Sequence, residues 1–139
     1  MKSLLAAVAL TGVTLLSAGT AMAQDAAKGE AVFKKCMACH RVGPDAKNLV
    51  GPILNGVVGR AAGKVEGYKY SQINHNAGEA GLVWTEANIV EYLADPQGFL
   101  KKFLTEKGKA DQALGATKMA FKLPNEQERK DVVAFLKTK

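Results

Sequence analysis

Histidine and cysteine are scarce in this chain: His40, His75, Cys36 and Cys39 are all that 139 residues contain. A structural zinc site takes four ligands in separated pairs. Here three of the four residues crowd into one cluster, where adjacent Cys39 and His40 would be strained as joint ligands, and the fourth is distant. That excludes structural zinc. Aromatic residues are few as well, nine in all. A chain of this size buries roughly two thirds of its unfolded surface, so an organic cofactor would add substantially to its core. Arginine is reduced to Arg41, Arg60 and Arg129, and the formal charge of +6 comes from lysines scattered through every segment. With no basic recognition helix, nucleic acid is not an expected partner, whereas acidic partners are favoured. No repeat or low-complexity tract occurs, and the apolar run Leu4 to Leu16 is shorter than the ~20 residues of a membrane-spanning helix.

That run follows Lys2 and leads to the small-residue triplet Ala21-Met22-Ala23, the pattern of a secretory signal peptide cleaved after Ala23. Removing residues 1–23 leaves 116, enough for one domain over 24–139, with a formal charge of +5 once Lys2 is gone. No stable membrane anchor is expected.

Helical signals dominate the remainder. Asp25 is placed to cap a first helix carrying Val32 and Phe33 toward Cys36, and Gly29 within it marks a close crossing by another element. Pro124-Asn125 with Glu128 opens a last helix whose stripe is Val132, Val133, Phe135 and Leu136, so the terminal helices are expected to cross. Thr85 caps a helix through Ile89, Val90, Tyr92 and Leu93; Asp95-Pro96 ends it and starts another through Phe99, Leu100, Phe103 and Leu104, closed by Gly108. From Val42 to Gly67 the chain holds six of its fourteen glycines and two of its four prolines without sustained periodicity, which predicts ordered loop. Long irregular loops in a small domain need something to pack on, and a large flat cofactor would serve.

The stretch "KKCMACHRVG", residues 34–43, decides between cofactors. A thioredoxin-type Cys-x-x-Cys opens a helix after a strand, whereas Cys36 and Cys39 follow the first predicted helix. In haem attachment every part of Cys-x-x-Cys-His is used: two thioether bonds from Cys36 and Cys39, and His40 as axial iron ligand. Of four methionines, Met1 and Met22 leave with the signal and Met37 is tethered between the cysteines, so Met119 is the candidate second ligand. A lone methionine otherwise fills a core gap. His75, in the polar run "NHNAGEAG", reads as a surface residue.

At this point the chain resembles the class I cytochromes c, among them the exported bacterial cytochromes c2. The resemblance runs through "KGEAVFKKCMACH", "VGPILNGVVGR", "GYKYSQIN", "WTEANIVEYLADP", "TKMAF" and "DVVAFLKTK". It implies an all-α fold of several helices and long loops wrapped around one haem c, in a periplasmic monomer. It implies further that the Pro52 carbonyl accepts a hydrogen bond from His40, and that Arg60, Tyr70, Ser71, Asn74 and Trp84 surround the haem propionates and their buried water. Tyr92 and Thr117 match hydrogen-bonding positions near the ligating methionine, and Phe121 matches an aromatic at the exposed haem edge. Lys35, Lys118 and Lys122 are neighbours in sequence of Cys36, Met119 and Phe121, and the resemblance makes that edge a docking site. The function implied is one-electron transfer from a quinol-oxidising cytochrome bc1 complex to a photosynthetic reaction centre or a terminal reductase or oxidase, through transient electrostatic encounters. The rival is a haem peroxidase or gas binder with an open iron site. Its support is the stretch "KKFLTEKGKADQALG", which extends the approach to Met119, where Gly115-Ala116 replace the family's usual Pro-Gly and put the stiffness of the methionine loop in doubt.

Overall fold

The computed structural model describes residues 24–139; the expected signal peptide, 1–23, lies outside the described residues. Five α-helices follow in order: α1 (Ala26–Phe33), α2 (Gln72–Glu79), α3 (Glu86–Ala94), α4 (Pro96–Glu106) and α5 (Glu126–Leu136), with a 3-10 turn at Ala110–Gln112. Among the described residues the fold is all-α, as the resemblance implies.

The expected caps hold α1, α3 and α5. Asp25 accepts from the N–H groups of Ala27 and Lys28, Thr85 from Asn88 and Asn125 from Glu128; each satisfies donors that the first helical turn leaves open. Pro96 opens α4 directly after Asp95. At its far end Lys109 N donates to Leu104 O at 2.8 Å around Gly108, which takes a left-handed φ of 69°.

The terminal helices cross. Gly29 is buried, and a Cβ there would fall 1.9 Å from the Asp131 carbonyl oxygen, so the missing side chain lets the two backbones meet. Phe33 and Phe135 pack at a tilt beside the crossing with ring centroids 5.3 Å apart. Buried Asp131 reaches from α5 to the start of α1, where its Oδ1 accepts from Asp25 N at 2.9 Å. The core continues through Leu100 and Leu104 of α4 and Ile73 of α2, all fully buried.

The stretch from Val42 to Gly67 contains no helix and is ordered by long-range hydrogen bonds. Ala61 and Val83 form an isolated antiparallel bridge, flanked by Ala62 N to Leu82 O at 2.8 Å and Trp84 N to Arg60 O at 2.9 Å. This pairing sets Arg60 beside Trp84. The helix α2 is not among those that apolar periodicity marks, because its sequence QINHNAGE offers only Ile73 and Ala77 as a buried pair one turn apart. It packs instead through Gly78, where a Cβ would come 2.4 Å from the Ala62 carbonyl oxygen.

Candidate functional site

The Cys-x-x-Cys-His segment continues α1 as hydrogen-bonded turns. Cys36 N donates to Phe33 O at 2.8 Å, Cys39 N to Cys36 O at 3.1 Å and His40 N to Cys36 O at 2.9 Å. Residues three and four apart in such a coil share one face, so Cys36, Cys39 and His40 are gathered together. Both cysteines are free and half-buried. Burial pushes the Cys36 thiol up, with the neighbouring Cys39 adding and the Lys35 charge opposing.

His40 is held from behind. Its Nδ1 lies 2.7 Å from the Pro52 carbonyl oxygen, which can only accept, so Nδ1 carries the proton and Nε2 keeps a lone pair for a metal. Burial holds the imidazole below its ordinary pKa; the Pro52 contact opposes this and the Arg60 charge adds to it. Gly51 makes the approach possible, since a Cβ there would sit 2.3 Å from His40 Cε1. Sequence reasoning missed Gly51, and missed Asn48 as well. The Asn48 side chain ties the loop to itself, donating to Glu66 O at 3.1 Å and accepting from Ile53 N at 3.0 Å.

The residues expected around the propionates come from three segments. Arg60 donates through Nη1 to Asn55 O at 2.9 Å and through Nη2 to Ile53 O at 3.2 Å, which leaves guanidinium protons for a carboxylate. Burial lowers its pKa. The Tyr70 hydroxyl accepts from Val65 N at 3.1 Å, so its own proton is left to donate. Ser71 stands at the N-cap of α2 without using its side chain there. Asn74 Oδ1 is buried with no hydrogen-bond partner, and an orphan of this kind points to a missing bound group or ordered water. Trp84 is buried and meets Tyr92 edge-on, with centroids 4.7 Å apart.

On the methionine side, Met119 is half-buried against the core. Its backbone N donates to Thr117 Oγ1 at 3.3 Å, and the Tyr92 hydroxyl hydrogen-bonds with the same threonine. Burial pushes the Tyr92 hydroxyl up to about 12, against the Thr117 contact. His75 is exposed. Phe121 is 41% exposed rather than part of the core. Each of the three singled-out lysines has a partner: Lys35 pairs with Glu128 at 2.9 Å, Lys122 with Asp95 at 3.1 Å, and Lys118 donates to the Lys69 carbonyl with its Nζ 5.3 Å from the Tyr68 ring centre. Sequence reasoning also missed Gln97, whose side-chain amide contacts the backbone of Gly115 and Thr117.

Two thiols beside an imidazole with one free nitrogen, a buried orphan amide and a guanidinium with spare donors make a donor set that fits a haem. Among the described residues no helix is long and apolar enough to cross a membrane.

The cytochrome c family profile matches residues 26–139. Cytochrome c2 iso-1 of Rhodospirillum centenum is 70% identical over 114 residues, covering 82% of this chain and 95% of its own. Cytochrome c2 of Rhodopseudomonas palustris is 69% identical over 123 residues, 88% of this chain and 86% of its own. The solved structure of cytochrome c2 from Rhodospirillum centenum superposes with a TM-score of 0.81 at 71% identity, covering 82% of this chain and 97% of that one.

Proposed function

Because the chain belongs to the cytochrome c family and carries electrons on one covalently bound haem c, we propose that it is a soluble periplasmic shuttle between membrane redox complexes. It takes single electrons from a quinol-oxidising cytochrome bc1-type complex and delivers them to a photosynthetic reaction centre or a terminal reductase or oxidase. Residues 1–23 direct export and are removed.

When bound, the haem supplies an iron that alternates between the ferrous and ferric states. Cys36 and Cys39 would anchor it as thioethers, and His40 and Met119 would ligate its iron. The single observation that carries this reading is the 2.7 Å contact from His40 Nδ1 to Pro52 O, which fixes the tautomer that an axial imidazole needs. With His40 and Met119 both on the iron, no position would be left for a substrate, and sulfur ligation together with burial would raise the reduction potential. Arg60, Tyr70, Ser71, Asn74 and Trp84 hold the propionate side, and the orphaned Asn74 Oδ1 supports that assignment. Tyr92 and Thr117 steady the methionine backbone. Exposed Phe121 marks the edge where Lys35, Lys118 and Lys122 meet an acidic partner.

Replacement of the two candidate ligands tests the reading. Met119→Ala is expected to lower the reduction potential and open the iron to carbon monoxide, whereas His75→Ala does neither. Exchange of those outcomes would overturn the ligand assignment. Acid-solvent extraction is expected to leave colour on the chain, and a haem that washes free of matured protein would refute attachment through Cys36 and Cys39.

A further inference from the structure

The approach to Met119 is irregular: after the 3-10 turn Ala110–Gln112, no helix forms until Glu126. Leu114, Gly115 and Ala116 are exposed there, and no proline stiffens them. Besides Tyr92 of α3, which hydrogen-bonds with Thr117, two amide side chains from the helices hold this segment. Asn76 Nδ2 of α2 donates to Gln112 O at 2.8 Å. Gln97, the second residue of α4, does more: its Nε2 donates to Gly115 O at 3.1 Å while its Oε1 accepts from Thr117 N at 2.7 Å. One amide thus grips the backbone on both sides of Ala116, and its two partners fix which end is oxygen and which nitrogen. Thr117, so held, receives the backbone N–H of Met119. Gln97, Thr117 and Met119 also line one cleft of about 220 Å³ between the start of α4 and this segment.

We propose that Gln97 is a positioning residue that keeps Met119 on the iron, a role that rests on the reading of Met119 as axial ligand. For the methionine to leave, the segment carrying Thr117 must swing away from α4, and both bonds to Gln97 must break. Each is an ordinary hydrogen bond whose groups turn to water on opening, so each shifts the open population severalfold, and losing both shifts it roughly tenfold. A glutamate at this position keeps an acceptor for Thr117 N–H, but its carboxylate has no proton for the Gly115 carbonyl. It therefore retains half of the grip.

The test is an imidazole titration of the ferric holoprotein as wild type, Gln97→Ala, Gln97→Glu and Asp131→Asn. It is followed by loss of the near-infrared sulfur-to-iron band, with urea unfolding measured alongside. Gln97→Ala is expected to bind imidazole roughly tenfold more tightly than wild type, with Gln97→Glu in between. Asp131→Asn weakens the distant α1–α5 contact and lowers urea stability, yet binds imidazole as wild type does. An affinity for Gln97→Ala within about twofold of wild type, or an equal gain in Asp131→Asn, would overturn the proposal. A wild-type protein without the sulfur band would overturn the Met119 reading and the clamp together, whereas a normal band with unmoved affinity sinks the clamp alone.

Discussion

Gly29 and Gly98 are both helical glycines, and an added methyl group meets different matter at each. At Gly29 the Cβ would fall 1.9 Å from the Asp131 carbonyl oxygen and 2.9 Å from Phe135 Cβ. Neither can yield without separating two packed helices. Alanine gains about 1 kcal/mol of helix propensity over glycine, but overpacking of this kind costs about 3 kcal/mol or more. Gly29→Ala is therefore expected to lower urea stability by at least about 2 kcal/mol. At Gly98 the obstacle is Asp95 Oδ2 at 2.5 Å, the free end of a rotatable carboxylate. Its ion pair with Lys122 is half-exposed and worth about 1 kcal/mol or less. Gly98→Ala is expected to change stability by under about 1 kcal/mol in the same titration. Comparable losses at the two positions would refute this account of the terminal-helix crossing.

Among the elements, α1 and α5 depend on each other through one buried carboxylate. Asp131 Oδ1 accepts both Asp25 N and Gln127 Nε2 at 2.9 Å. Truncation to alanine strands the part-buried Asp25 N–H at the crossing, and an unsatisfied donor costs roughly 1–3 kcal/mol to the extent that water is kept from it. Asp131→Ala is thus expected to lose about 2 kcal/mol in urea, and Asp131→Asn less, because its amide oxygen still accepts. Helices of this kind were legible from sequence because their signals are local: Asp25, Thr85 and Asn125 lie next to the turns they cap. The haem motif was legible for the same reason, three residues within five positions. The helix α2 was not, since its burial comes from Ala62 backbone packed on Gly78, a contact between segments that leaves no apolar stripe. Asn48, Gly51 and Gln97 stayed hidden because an amide or a bare Cα takes meaning only from the distant atoms it meets. Gly115-Ala116 bear on the methionine segment only through local stiffness, which is all that a sequence shows there. The hydrogen bonds that the Gln97 side chain makes to it come from 18 residues earlier in the chain.

At the scale of the whole molecule, the +5 formal charge of residues 24–139 gives a field that draws in acidic partners, but the individual lysines contribute unequally. Lys35 is paired with Glu128 at 2.9 Å, and a pair acts at a distance as a dipole rather than a unit charge. Glu128→Gln is therefore expected to raise the second-order rate of electron transfer to an acidic partner and to steepen its salt dependence, while Lys35→Gln does the reverse. Replacing Lys35, Lys118 and Lys122 together with glutamine is expected to slow that rate and flatten the salt slope, with far less change in reduction potential. Stopped-flow kinetics across a salt series read both effects, and an unchanged rate and slope in the triple variant would remove these lysines from the docking edge. The contact between Asp25 and Asp131 has a kinetic side as well. It spans 106 residues, so the helix leading into Cys36 gains its partner only when nearly the whole chain is available. Contacts of such high sequence separation form late, and a chain made N-terminus first presents its early residues long before its last. Cys36 and Cys39 thus stay on an open segment until the last helix docks, and that docking closes the interval in which they are most accessible.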